Sequence, residues 1–210
     1  MALTLAATEL LDAGTEPARR QGGAPARAEI DALTLEQCRE GEPQALRRFV
    51  LCYQRALFAF LGRTVGRGPH VEDLAQEVFI RAYRALPRFE RREGVRVSTW
   101  LLKIAVRLVS DERRRPRRLL VPLSDDLPAN DELGPEGRHH VGDIGRAVEG
   151  ALGELPDEQR VVFVLAHFNG LSMAEIAAMT GVPEGTVKTR LFRAHARLRS
   201  LLSDVWEALP

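Results

Sequence analysis

The sequence predicts an all-α protein: two small helical domains joined by a flexible acidic linker, the C-terminal one a helix-turn-helix. Three observations carry that expectation. Apolar residues recur at three-to-four spacing in several separate segments. Strand-like alternation is sustained nowhere. A stretch over 116–143, with four Pro, three Gly, six acids and no period, divides the chain. With 45% apolar and 28% charged residues, the 210-residue chain can bury a core and stay soluble, which excludes a disordered polymer.

Residues 1–30 are rich in Ala, Gly and Pro and are expected to form a disordered tail. The first domain is expected over 31–115. Leu46, Phe49, Val50, Tyr53, Leu57 and Phe60 give one helix a buried face, with Pro43 at its first turn. Gly62, Gly66, Gly68 and Pro69 break the chain after it. A second helix is expected from about Val71 to Leu86, with Leu74, Val78, Ala82 and Ala85 inward, ended by Pro87. Arg88 to Val97 reads as a loop. Ser98 or Thr99 can cap a third helix that runs to about Arg115 and packs Trp100, Leu101, Ile104, Ala105 and Leu108 inward.

The second domain is expected over 144–205. Ile144, Val148 and Leu152 space one helix, and Val161, Val162, Leu165 and Phe168 another. Ser172 with Glu175 forms a capping box, and Gly181 supplies a left-handed turn. Pro183 and Glu184 open the next helix. Two helices joined by so short a turn make a helix-turn-helix. In its second helix Val187, Leu191, Ala194, Leu198 and Leu201 form the buried stripe. Gly185, Thr189 and Arg193 point the other way, flanked by Thr186, Arg190 and Arg197. Small and hydroxylic residues with Arg suit the major groove; Lys188 and Arg199 suit phosphates.

The net charge of +1 hides a segregation. Arg81 to Arg118 holds 13 basic and 4 acidic residues, net +9. Leu119 to Arg160 holds 3 and 10, net −7, and Pro183 to Arg199 holds 5 and 1, net +4. Two polyanion-binding surfaces on an acidic connector account for this pattern better than ordinary solvated faces. On the third helix of the first domain, Lys103, Arg107, Ser110 and Arg114 form a basic stripe. It adjoins a loop with Phe89, Arg91, Arg92 and Arg96, a combination suited to single-stranded or distorted nucleic acid. On the second helix Asp73, Gln76, Glu77, Ile80 and Arg84 share a polar face with one apolar residue, Ile80, at its centre. A protein partner explains Ile80 better than solvent does.

Other classes fit poorly. No apolar run exceeds six residues, Val161 to Ala166, so no membrane span is expected. Cys38 and Cys52 lack disulfide-framework or zinc spacing, which fits a reduced, cytoplasmic protein. No Gly-rich phosphate loop, Ser/His/acid set or HExxH occurs, so no enzyme, cofactor or metal is expected. His139-His140 falls in the linker as an incidental pair.

Three segments resemble bacterial sigma factors of the sigma-70 family. They are Val71-Glu72-Asp73-Leu74-Ala75-Gln76-Glu77-Val78-Phe79; Ser98-Thr99-Trp100-Leu101-Leu102-Lys103-Ile104-Ala105; and Glu175-Ile176-Ala177 with Gly185-Thr186-Val187-Lys188-Thr189-Arg190-Leu191. The resemblance spans about Leu35 to Leu202 and is nearest to the extracytoplasmic-function class, which keeps only the second and fourth conserved regions. It implies a protein that binds core RNA polymerase, directs it to promoters and helps open the DNA, with an anti-sigma factor as a further partner. Asp73, Gln76, Glu77 and Ile80 would dock the polymerase. Arg91, Arg92, Arg96, Lys103, Arg107 and Arg114 would hold the melted minus-ten strand. Gly185, Thr186, Lys188, Thr189, Arg190, Arg193 and Arg197 would address the minus-thirty-five duplex. The acidic linker would lie where nascent RNA later passes. Two positions depart from the family pattern: Val106-Arg107 stands where Arg-Asn is common, and Val97 replaces a frequent aromatic. A stand-alone helix-turn-helix regulator is the alternative, but it leaves the Asp73 face and the basic loop without a role.

Overall fold

The computed structural model describes residues 29–90, 96–114 and 145–203. They belong to two compact units, one within Ala24–Ser124 and one that includes Asp125–Pro210. Every regular element among the described residues is a helix. The linker expected over 116–143, its His139-His140 pair and most of the expected tail lie outside the described residues.

The N-terminal unit contains α1 (Ala32–Arg39), α2 (Pro43–Val65), α3 (Pro69–Ala85), a 3-10 turn at Leu86–Arg88, and α4 (Val97–Arg114). Asp31 caps α1, accepting from the Thr34 amide and hydroxyl, each at 2.7 Å. The spine is α2, which packs against α1, α3 and α4. It buries Phe49, Tyr53, Leu57, Phe60 and Leu61. Phe49 meets Tyr53 edge-on at 5.0 Å and Phe79 of α3 at 6.2 Å. Gly62 does not break this helix as expected, because the buried Phe60, Leu61 and Thr64 around it hold that turn in the core. The break comes at Gly66 and Gly68, both with positive φ (87° and 148°). Pro69 then opens α3 one half-turn earlier than the apolar pattern implied. On α3, Val71 and Ala75 join Leu74, Val78 and Ala82 in the core, while Ala85 is half-buried and Leu86 takes the core position after it.

Two expectations about the ends of this unit need correction. Glu29 and Ile30, assigned to the tail, pack on the unit, and Ile30 is 7% exposed. Helix α4 starts at Val97, so Ser98 lies inside the helix instead of capping it. The buried face of α4 is also wider than the stripe suggested. Val97, Leu101, Leu102, Ala105, Val106, Leu108 and Val109 are buried, whereas Trp100 and Ile104 are half-buried.

The C-terminal unit contains α5 (145–153), α6 (Asp157–Phe163), which continues into a π-helical turn at Val164–Phe168, α7 (Met173–Thr180) and α8 (Glu184–Leu201). Arg160 closes the α5–α6 turn by donating to the carbonyls of Gly153 (2.6 Å) and Leu155 (2.8 Å). The π turn, invisible to spacing arguments, buries Val164 and Leu165 after Val161, Val162 and Phe163. The helix-turn-helix forms as the capping residues dictate. Ser172 accepts from the Glu175 amide at 3.3 Å while Glu175 accepts from the Ser172 amide at 2.8 Å. Gly181 turns left-handed, φ 72° and ψ 21°. On α8 the buried stripe is Val187, Leu191, Ala194 and Leu198, continued by Leu202 at 2% exposure and not by Leu201 at 40%. The Leu202 amide still bonds to the Leu198 carbonyl, so the last turn carries residue 202 back to the core side.

The capping box makes the first prediction. Ser172→Ala should cost about 1 kcal/mol in the unfolding of the C-terminal unit, read by denaturant titration of the full chain, with the N-terminal unit's transition unmoved.

Candidate functional site

The two basic helices and the acidic face of α3 each present a surface whose geometry follows from the face that is buried. On α8, burial of the 187/191/194/198 stripe turns Gly185, Thr189 and Arg193 to solvent with Lys188 and Arg197 at their sides, all exposed. Thr186 is half-buried. The Thr189 hydroxyl donates to the Gly185 carbonyl at 2.9 Å, so its outward capacity is that of an acceptor beside a methyl group. Arg190 differs from the expectation. It is held in an ion pair with Glu158 of α6, 32 residues away, and fixes α8 to α6 instead of projecting with the other cations. Phe192, which the spacing argument passed over, is the most exposed large apolar residue of the described chain at 73%. It lies on the outward side of α8, seven residues from Gly185, among Lys188, Thr189 and Arg193. The helical wheel contained that signal, since an aromatic opposite the buried stripe has no core to enter. An exposed ring here offers an apolar contact of the kind that reads a thymine methyl.

On α4, Arg96 and Arg107 are exposed and Lys103 is half-buried on the same side. Arg114 is the last residue of the helix. The Ser110 hydroxyl donates back to the Val106 carbonyl at 2.9 Å, which uses its proton internally. Arg91 and Arg92 lie outside the described residues. Phe89 is not available to a loop surface: it is buried and packs on Trp100 with ring centroids 4.5 Å apart. Trp100 itself is half-buried and sits one turn from Lys103 on the basic side.

On α3, Asp73, Gln76 and Ile80 are exposed as expected. Glu77 is half-buried and accepts from Arg81 at 2.7 Å, so its charge is already paired within the helix. Ile80 has company the sequence did not show. A groove between α2 and α3 is lined by Leu46, Phe49, Val50, Gln76, Phe79, Ile80, Tyr83 and Leu86. Tyr83 is 54% exposed on its edge. The groove is apolar apart from Gln76, the chemistry that protein-binding surfaces in general show.

The comparisons with known proteins decide the family. Residues 49–119 match the family described as Sigma-70 region 2, and residues 145–198 match Sigma-70, region 4. The chain belongs to the sigma-70 family, in its extracytoplasmic-function class. It is 33% identical to the RNA polymerase sigma-H factor of Pseudomonas aeruginosa, over 84% of this chain and 96% of that one. It is 34% identical to the ECF RNA polymerase sigma-E factor of Escherichia coli K12, over 78% and 90%. It is 30% identical to the ECF RNA polymerase sigma factor SigW of Bacillus subtilis, over 81% and 96%. Among solved structures, the sigma factor RpoE of Bartonella quintana in complex with the anti-sigma factor NepR matches with TM-score 0.59 and 26% identity, over 75% of this chain and 96% of that one. In this sigma-70 family chain, region 2 coincides with the unit that carries α3 and α4, and region 4 with the unit that carries α8.

One titrating cluster underlies α8. The His167 and His195 Nε2 atoms lie 2.9 Å apart, both rings against Phe163. Burial lowers His167 from the usual 6.5 to about 4. Near neutral pH one ring donates and the other accepts. A base whose folded pKa is depressed binds its proton more readily when unfolded, so stability is full above pH 6.5 and is lost as pH falls from 6.5 toward 4. Region 4 should therefore lose up to about 3 kcal/mol between pH 7 and 4, followed by calorimetry, and His167→Leu should flatten that part of the profile.

Proposed function

We propose that this protein is a promoter-directing initiation factor: it binds core RNA polymerase, carries it to specific promoters and assists opening of the DNA. The single observation that carries this reading is the ordered pair of family matches, region 2 then region 4, on two helical units. Each unit shows a cationic helix face, and the first also carries an apolar groove between α2 and α3. A stand-alone regulator has no use for that groove, and the reading as an initiation factor does.

The roles divide by surface. The α3 face of Asp73, Gln76 and Ile80, with the groove beside it and the Glu77–Arg81 pair at its edge, docks the polymerase. Arg96, Lys103 and Arg107, continued by Arg114 and by Arg91 and Arg92 earlier in the sequence, hold the unpaired minus-ten strand through its phosphates. The outward face of α8, Gly185, Thr186, Lys188, Thr189, Phe192, Arg193 and Arg197, enters the major groove of the minus-thirty-five duplex, and Arg190 ties that helix to α6 through Glu158. The RpoE of Bartonella quintana was solved with an anti-sigma factor, and an anti-sigma factor is the partner expected to hold this protein inactive. No helix among the described residues is long and apolar enough to cross a membrane, in keeping with work alongside the polymerase in the cytoplasm.

Run-off transcription with purified core enzyme tests the whole reading: activity from a defined promoter only when this chain is added supports it, and none from any candidate promoter sinks it. Three further outcomes follow from the surfaces. Replacing Asp73 and Gln76 with Arg should weaken core binding in a titration at unchanged helicity, because both side chains are exposed; an unaltered affinity removes the assignment. Arg193→Ala should cost about 1–3 kcal/mol only on promoters with an upstream element. Arg107→Ala should instead reduce permanganate reactivity of the downstream thymines, in a salt-dependent way. The reverse pattern would exchange the two units' roles.

A further inference from the structure

Among the described residues, the first turn of α4 finds its capping acceptor outside its own helix. A helix start leaves several amides without partners. The residue before Val97 is Arg96, whose side chain has no acceptor. The Ser98 hydroxyl is inside the first turn. The acceptor comes from the other end of the unit. Glu29 takes hydrogen bonds from the amides of Val97 (3.1 Å) and Ser98 (3.2 Å) and from the Ser98 hydroxyl. Its carboxylate also accepts from the Tyr53 hydroxyl of α2 at 3.0 Å. Tyr53 accepts in turn from the Ile30 amide at 3.2 Å. Burial pushes the Tyr53 phenol well above its usual value, which keeps it a donor. One carboxylate thus joins the first turn of α4 to the spine helix, across 68 residues of sequence, with a negative charge at the positive end of the α4 dipole.

We propose that Glu29 is a positioning residue for promoter melting. This rests on the reading above that the basic face of α4 holds the unpaired strand. That face begins where the cap is. Arg96 precedes the bonded amides, Trp100 bonds its amide to the Arg96 carbonyl at 3.1 Å, and Lys103 and Arg107 follow at one-turn steps. A single strand is a flexible polyanion, so the cations that catch it work only if their spacing is fixed beforehand. Among the described residues, Glu29 bonds to Tyr53, Val97 and Ser98 and to none of Arg96, Lys103 and Arg107. It sets the first turn from which they are spaced and ties that turn to α2. Its loss therefore acts on opening and leaves polymerase docking on the α3 face, to which Glu29 makes no hydrogen bond, intact.

The test uses holoenzyme assembled from the full chain and core polymerase. Glu29→Gln keeps the size of the side chain but loses the charge and half its accepting capacity. Asp31→Ala is the matched control: it removes the α1 cap two residues away and touches nothing in α4. Expected for Glu29→Gln is open-complex formation slowed about fivefold, the size of a lost charged cap, with core affinity and duplex binding to the upstream element unchanged. Asp31→Ala, with a similar loss of melting temperature, should open promoters at the normal rate. If both variants slow opening alike, or if Glu29→Gln opens normally while Arg107→Ala is impaired, Glu29 is only structural and the proposal is overturned. If Lys103→Ala and Arg107→Ala both open normally, the reading of α4 fails, and the proposal with it. Should Glu29→Gln not fold, Ser98→Ala removes one leg of the same cap and carries the same expectation at smaller size, with normal opening overturning it.

Discussion

A phenol buried at 2% exposure cannot be left without a hydrogen-bond partner, and the N-terminal unit is organised around that requirement at Tyr53. The ring fills the core beside Phe49, so its hydroxyl emerges where α2 faces the start of α4. The chain meets the need by bringing Glu29 back over the spine helix, and the same carboxylate then serves the bare amides of α4. One side chain answers two shortages in one place. The segment before α1, the spine and the basic helix are thereby joined in one hydrogen-bonded unit, with Ile30 buried beside it.

The other surfaces follow from one-sided burial. A helix that packs one stripe must show the opposite stripe, and the sequence fills those stripes with different chemistry. On α3 it is Asp73, Gln76 and Ile80 beside an apolar groove; on α4 it is Arg96, Lys103 and Arg107; on α8 it is Thr189, Phe192 and Arg193. Electrostatics sorts them further. The Arg190–Glu158 and Arg81–Glu77 pairs retain charges within the protein, so the positive potential left facing outward is narrower than a count of arginines implies. Exposed pairs of this kind add little to stability. Their effect here is on which cations face outward.

What could be read from sequence was local. The capping box at Ser172 and Glu175, the left-handed Gly181 and the Val187/Leu191/Ala194/Leu198 stripe each depend on residues within one or two turns, and each stands as the spacing implied. What could not be read depends on distant partners. Nothing in an Ala-, Gly- and Pro-rich stretch distinguishes Glu29 from a solvated acid until Val97 is beside it. Nothing about Arg190 announces Glu158. The π turn at Val164–Phe168 inserts a residue that periodicity cannot see, and it places His167 opposite His195. Phe192 is a different case: its place on the wheel, away from the buried stripe, already marks an exposed ring.

The departure from the family pattern at 106 and 107 shows how packing limits what substitution can do on the proposed reading. Val106 is 1% exposed and interlocks with the core of the first unit, which fixes the rotation of α4 and turns residue 107 outward. An asparagine at that outward place would offer one acceptor and two donors close to the backbone. Arginine offers five donors on a long stem and no acceptor. A base edge that must donate a hydrogen bond therefore finds no partner at 107, while phosphate oxygens, or the O6 and N7 acceptors of a guanine, find a better one. The exchange also moves the charge from 106 to 107, the side that already carries Arg96 and Lys103, which on this reading shifts the balance at α4 from reading sequence toward gripping backbone. Discrimination between promoters then has to come more heavily from α8, where the mixed surface of Thr189, Phe192 and Arg193 still offers an acceptor, an apolar face and a bidentate donor within two turns of one helix.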